Sequence, residues 1–385
     1  MATEIKGEWA LERACQAIDA ELGETLDDKQ RLIAAKAKGL MVGYNARWKD
    51  AGYVPFAVEQ VIHKNLINPE TQRQSRSFTT AGKLDVLCTY AGQKILIDHK
   101  TTTQDISDPD APYWRQLVIE GQVNQYMLLA WMDGIKIDNA VWDCVRKPSI
   151  SPKKLTKAER ASVVAEGVYF GNEVSNEDLM ALSQGEERES AEMYSFRLAH
   201  DCTVERPGWY FQRRAVPRLD SEIVEYAAEL WEHSQDMLYS RAKIAAGKLP
   251  PRNSGACMLY GSPCNFLGIC SGHDTPDSDR WQRRESVHPE LDGAVGEGKD
   301  VLTNSRVRCF QTCRRKEYYQ YQLGIERYDE EEKESLFFGS LFHRALEAWW
   351  NCFRAQEESN DVNDIQGSPV NEIGKPNSDE PQLAQ

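Results

Sequence analysis

Asp98 and Lys100 stand two residues apart in Lys94-Ile-Leu-Ile-Asp-His-Lys100. This run predicts a strand, so both side chains project from one face. Ala91-Gly92-Gln93 supplies a turn, and before it Lys83-Leu-Asp-Val-Leu-Cys-Thr-Tyr90 predicts the partner strand with Asp85 on it. Two carboxylates and an ammonium can then meet at one point. Carboxylates so grouped repel one another unless a cation lies between them, and an oxygen-only site suits Mg²⁺ or Mn²⁺. A lysine there can orient or deprotonate a water and stabilise charge growing on a phosphorus. Taken alone, an Asp-x-Lys is common and fits an ordinary polar strand end better.

A second chemical cluster lies at Cys257-x6-Cys264-x5-Cys270. Ten cysteines in a chain whose start lacks the apolar segment of a secretory signal are expected to be thiols in a reducing cytoplasm. Six of them (Cys15, Cys88, Cys144, Cys202, Cys309 and Cys352) are scattered and read as ordinary buried side chains. The remaining trio reads as a metal centre short of one ligand. Zinc sites more often show paired Cys-x2-Cys units, which this spacing does not give.

The ordered set Gly82-Lys-Leu-Asp85, Ile95-Leu-Ile-Asp98-His-Lys100-Thr-Thr and Gln122-Val-Asn-Gln-Tyr126 resembles the successive motifs of PD-(D/E)XK nucleases of the RecB-like branch. The resemblance implies that Asp85 and Asp98 bind the metal, that Lys100 is catalytic, and that Gln122 and Tyr126 support the site or the DNA. Glu59, in Phe56-Ala-Val-Glu59, matches an acidic position one strand earlier. His99 departs from the Tyr or hydrophobic residue usual there, and is expected to point away from the metal with little consequence. The cysteine trio is similar to one that closes the AddB-like members of this branch. There a distant fourth cysteine completes a [4Fe–4S] cluster.

The elements that usually open such a domain come late in this chain. Ser305-Arg-Val-Arg-Cys-Phe-Gln-Thr-Cys313-Arg-Arg-Lys-Glu-Tyr318-Tyr and Phe338-Gly-Ser-Leu-Phe-His343-Arg resemble the family's opening cysteine helix and its Gly-Ser-x-x-His helix. A circular permutation is therefore expected, with Cys313 as the fourth cluster ligand and His343 at the metal. A truncated second unit, or a block swapped onto a neighbouring chain, would give the same order.

These motifs set the expected architecture. It is an α/β, restriction-endonuclease-like core, a mixed central sheet flanked by helices, with added helical segments and an Fe–S-bound cap. Residues 1–270 would form the core, 271–300 a Gly- and Pro-broken linker, 301–354 the permuted element, and 355–385 a disordered acidic tail. Helices are expected over 8–50, 113–133, within 152–200, and over 219–247, 306–321 and 339–354, with a further strand at 137–146 and a short one from Trp209.

The chain has 385 residues and a net charge of −14. That excess of acid argues against whole-surface attraction to nucleic acid. The tail and the run 329–334 hold ten units of it, which leaves −4 elsewhere and room for a basic groove. Candidate DNA contacts are Arg213 and Arg214, which follow an aromatic strand, and Arg314 and Arg315, which flank Cys313. No apolar stretch reaches the roughly 18 residues of a membrane helix. The expected function is a metal-dependent DNA exonuclease acting on single strands or duplex ends, in recombination, repair or phage replication. Recombination or replication proteins would be possible partners, in the cytoplasm of a bacterial or phage-infected cell. Alternatives are a catalytically degenerate Fe–S nucleic-acid-binding module and, more weakly, a zinc-bound interaction protein.

Overall fold

The computed structural model describes residues 2–22, 26–291, 298–328 and 334–354. The tail 355–385 expected to be disordered lies outside the described residues. Helices α1 (Ala2–Leu22) and α2 (Asp28–Trp48) lead into strands β1 (Val54–Ile67), β2 (Gln74–Tyr90) and β3 (Gln93–Thr102). Short α3 (Pro112–Val118) and longer α4 (Gly121–Met132) precede β4 (Asn139–Arg146). The charged stretch that follows forms α5 (Lys157–Glu166), a small hairpin of β5 (Val168–Tyr169) and β6 (Asn172–Glu173), α6 (Asn176–Ser183) and α7 (Ala191–His200). Then come α8 (Pro207–Tyr210), β7 (Phe211–Val216), the long α9 (Asp220–Ala245) and α10 (Leu267–Ser271).

The central sheet is mixed and mostly antiparallel. Its strand order is β1-β2-β3-β4-β7, with β3 and β4 parallel and the other neighbours antiparallel. The alternation read in the sequence sends Ile95 and Ile97 to one face and Leu96 to the other. The first face is covered by α1, α2, α7 and a late helix, with Tyr44, Phe342, Trp349 and Trp350 buried in the layer. The second is covered by α3 and α4 through Trp114, Val123, Met127 and Leu129. Gly82 lets α4 come this close to β2: a Cβ there would lie 2.8 Å from Cε1 of Tyr126. Burial of this kind, about 25 cal/mol per Å² of apolar surface, is the main stabilising contribution.

The late part of the chain is woven into this core. Strand β8 (Trp281–Arg283) lies within the segment expected to be a linker, and β9 (Asp300–Leu302) follows it. Next come α11 (Asn304–Thr312), α12 (Arg314–Glu317), β10 (Ile325–Arg327) and α13 (Glu334–Phe353). Strand β9 joins the central sheet, parallel to the first half of β2, with Phe78 opposite Asp300 and Thr80 opposite Leu302. Fully buried Arg306 anchors the junction. It bonds Glu317 at 2.9 and 3.0 Å, the Val301 carbonyl at 3.1 Å and Asp300 at 3.3 Å, and Arg241 also pairs with Asp300. A guanidinium can be buried because its donors are met in this way.

Three local expectations differ from what the chain adopts. The 271–300 segment is polar, yet β8 pairs with β10 and Leu291 is buried against Ala81 and Val301; apolar side chains at wide intervals suffice to seat it. The helix expected over 113–133 breaks at Ile119, because Glu120 takes an extended N-cap conformation ahead of Gly121. The helix expected over 306–321 is interrupted at Cys313, whose backbone is extended (φ −162°, ψ 112°), and a π-helical turn, Tyr318–Gln322, closes the segment. No helix among the described residues is long and apolar enough to cross a membrane.

Candidate functional site

The hairpin brings the two aspartates face to face. Val86 pairs with Ile97, so Asp85 and Asp98 occupy the next step, where the strands part. Both carboxylates are buried. Asp98 Oδ2 lies 2.6 Å from Lys100 Nζ, while its Oδ1 has no hydrogen-bond partner among the described residues. Lys100 also donates to Gln122 Oε1 at 2.7 Å, and Gln122 donates to the Tyr126 hydroxyl at 2.9 Å. The Gln-x-x-x-Tyr pair thus holds the lysine from α4, one helical turn supplying both groups. Burial by itself would lower the Lys100 pKa, but Asp98, with Asp85 and Glu120, raises it above the ordinary lysine value.

Glu59 and His343 complete the site. Glu59 sits between the Val58–Val86 and Gln60–Leu84 pairs with φ +52°, a left-handed backbone inside a strand. A non-glycine residue held so costs on the order of 1–3 kcal/mol. Its carboxylate pairs with Lys83 at 2.8 Å. His343 reaches the same place from α13. One ligand atom each from Glu59, Asp85 and His343 all lie within 4.8 Å of one another, the one such set of His, Cys, Asp and Glu among the described residues.

Burial, then the Asp98 charge, lifts the Asp85 pKa to about 7, against smaller opposing effects from His99. Burial, then the His99 and Lys100 cations, drives the His343 imidazole down to about 3, so it is neutral with a free lone pair. A carboxylate that resists charging, another with an orphaned oxygen, and a neutral imidazole form a donor set that fits a divalent cation. A cation binding here must displace the Asp85 proton. Affinity is therefore expected to rise about tenfold per pH unit up to about pH 7 and to level off above it. Mn²⁺ titrations from pH 5.5 to 8 check this, and a flat profile below pH 7 contradicts it.

Behind the hairpin lies a network that no sequence motif announced. Asp143 on β4 is fully buried opposite His99. Its Oδ2 accepts from the Tyr44 hydroxyl at 2.5 Å and from Arg213 at 3.1 Å, and lies 3.3 Å from His99 Nδ1. The His99 main-chain N–H donates to Asp85 Oδ2 at 2.7 Å, and its ring centroid is 6.0 Å from that of His343. Burial disfavours an imidazolium, yet Asp143 and Asp85 raise the His99 pKa above its ordinary value. His99 therefore links the metal-ligand candidates to a charged core, where the sequence predicted a residue of little consequence.

That network also corrects Arg213 as a DNA contact. Its guanidinium is 6% exposed, and it sits 4.2 Å from the Trp48 ring and 5.0 Å from that of Tyr53. A phosphate cannot reach it. Arg214 lies on Trp114, 4.1 Å away, and donates to the Pro109 carbonyl. Arg314 bonds Asp236 at 2.5 Å, and Arg315 donates to the Pro250 carbonyl at 2.8 Å. The last two brace the cysteine region. The open groove beside Glu59, Asp85 and His343 encloses about 840 Å³ and is lined instead by Lys147, Arg308, Arg344, Asn304, Ser305 and Ser340.

Cys264 and Cys270 pack beside Phe266 and Tyr319, near enough to Cys257 and Cys313 for their charges to interact. The Cys264 N–H bonds the Cys257 carbonyl at 2.8 Å, and Asn253 donates to the Thr312 carbonyl beside Cys313 at 2.9 Å. Burial first, then the nearby thiols including Cys257 and Cys313, raise the pKa values of Cys264 and Cys270. No three of these sulfurs lie within 4.8 Å of one another among the described residues. A tetrahedral zinc ion would hold sulfurs about 3.8 Å apart at its usual bond length.

No curated protein and no solved structure matches the chain. One family model, described as the PD-(D/E)XK nuclease superfamily, matches residues 301–374. That stretch contains Cys313 and His343 but none of Glu59, Asp85, Asp98 or Lys100. The chain is thus similar to nucleases of this superfamily in the segment that supplies the imidazole.

Proposed function

We propose that this protein is a divalent-metal-dependent phosphodiesterase that cuts DNA, as an exonuclease on single strands or duplex ends. The observation that carries the reading is the convergence of Glu59, Asp85 and His343, from β1, β2 and α13, beside the Asp98–Lys100 pair. Glu59, Asp85, Asp98 and His343 would hold Mg²⁺ or Mn²⁺, which when bound supplies Lewis acidity to the scissile phosphate. Lys100, charged and steered by Gln122, orients the attacking water and offsets charge on the phosphoryl oxygens. Arg308, Arg344 and Lys147 offer phosphate contacts along the groove.

In this reading 301–354, within the stretch that the family model matches, is the permuted opening element of the domain. The pairing of β9 with β2 fits a late segment that belongs to the same domain as the core. The four thiols are read as ligands of a structural [4Fe–4S] cluster pinning 257–270 to the Cys313 segment. We place this activity in recombination, repair or phage replication as part of the same proposal.

The test is digestion of end-labelled single- and double-stranded DNA with Mg²⁺ or Mn²⁺ by protein purified without air. Lys100→Ala should lower the rate at least about 10²-fold with the metal still bound. Cutting that survives both Lys100→Ala and Asp98→Ala would end the reading. Iron and sulfide analysis of the same sample tests the cluster, and stoichiometric zinc without iron would replace it.

A further inference from the structure

We propose that the Val118–Ile119 break between α3 and α4 is a contact surface for unpaired bases, over which a nucleic-acid strand enters the groove. This rests on the phosphodiesterase reading and names the form of substrate it takes. Ile119 is 86% exposed and Val118 61%, so two neighbouring aliphatic side chains stand at the surface. The segment is firmly held. Arg218 donates to the Val118 carbonyl and to Asn124, both at 2.6 Å, and Glu120 accepts two 3.1 Å bonds from Arg308.

Those anchors tie it to the site. Arg308 and Gln122 line the groove with Asp85 and His343, and Gln122 holds Lys100. Arg115, exposed in the last turn of α3, offers a polyanion a cation beside the pair, while Arg308 is half exposed and shares its charge with Glu120. Two aliphatic side chains are too little for a stable protein interface, which needs about 800 Å² from each partner. They are enough to lie against the apolar faces of one or two bases. Stacked bases in a duplex hide those faces, so the surface favours a strand whose bases are unpaired.

The test uses full-length Val118→Ser/Ile119→Ser, a change confined to exposed positions. Binding of a labelled 20-mer strand and of the matching blunt duplex is measured by anisotropy with Ca²⁺. Cleavage of a chromogenic phosphodiester with Mn²⁺ is followed alongside. The expected result is an affinity for the strand about tenfold weaker, the scale of one buried aliphatic side chain. Duplex affinity, chromogenic turnover and thermal midpoint should stay unchanged. Unchanged strand affinity overturns the proposal, and so does an equal loss on strand and duplex. Loss of self-association in sedimentation, with strand affinity intact, would assign the patch to a second copy instead. Failure of the unsubstituted protein to cut both the chromogenic diester and DNA would defeat the phosphodiesterase reading, while strand binding still reports on the surface.

Discussion

Asp85→Asn is expected to reduce DNA cutting by at least about 10³-fold, because it removes a charge that must meet the cation and the strained phosphate together. The same change should not weaken the metal-free fold. The Asp85 pKa is raised to about 7 in the folded protein by burial and by Asp98, against about 3.9 in an unfolded chain. A folded-state pKa raised above the unfolded one means the folded carboxyl keeps its proton longer. Its ionisation therefore lowers stability as pH climbs from about 4 through 7, and the penalty is complete above that. At pH 8 in chelator, Asp85→Asn should thus melt no lower than the parent, and the gain is at most about 4 kcal/mol. Mn²⁺ binding by calorimetry and melting with and without chelator check both halves. A variant that cuts at the parental rate would remove Asp85 from the site, and one that melts far lower in chelator would make it structural.

Arg213→Met should be the most destabilising single change near the site, by about 3–5 kcal/mol, since it strands a buried carboxylate. Burial pushes the Asp143 pKa up, but Arg213 and His99 overturn this and hold the carboxylate well below its usual range. Arg213 in turn is enclosed by Tyr44, Trp48, Tyr53 and Trp350, so methionine fills the space but leaves the charge alone. Arg213→Met/Asp143→Asn should recover a large part of the loss, because the pair is removed together. DNA affinity of the folded fraction should not change. A stable Arg213→Met protein with weakened DNA binding would restore the surface role that the sequence assigned to this residue.

The contrast between Asp85 and Arg213 shows what can be read from one dimension. Strand alternation and a short turn sufficed to set Asp85 opposite Asp98, because a two-stranded ladder is a local object. The Gln122–Tyr126 support was legible for the same reason, as a single turn of helix. Arg213 was misread because Tyr44, His99 and Asp143 come from three separate segments, and each looks ordinary where it stands. Arg213 also follows aromatic residues, a pattern that a stacking groove and a buried cation cage share. The break at Ile119 escaped notice because the apolar spacing runs through it unbroken; only the capping geometry at Glu120 reveals it. The extended backbone at Cys313, which turns it out of helix, has no counterpart in the residue pattern around it.

The pairing of β9 with β2 has a consequence for synthesis. During translation the N-terminal portion leaves the ribosome with one edge of its longest hairpin bare, and it waits for a complement encoded more than two hundred residues later. Contacts of such range form slowly, and a naked edge invites mispairing or chaperone capture meanwhile. His343 arrives later still. A nascent polypeptide therefore cannot bring Glu59, Asp85 and His343 together until its last helix has been made.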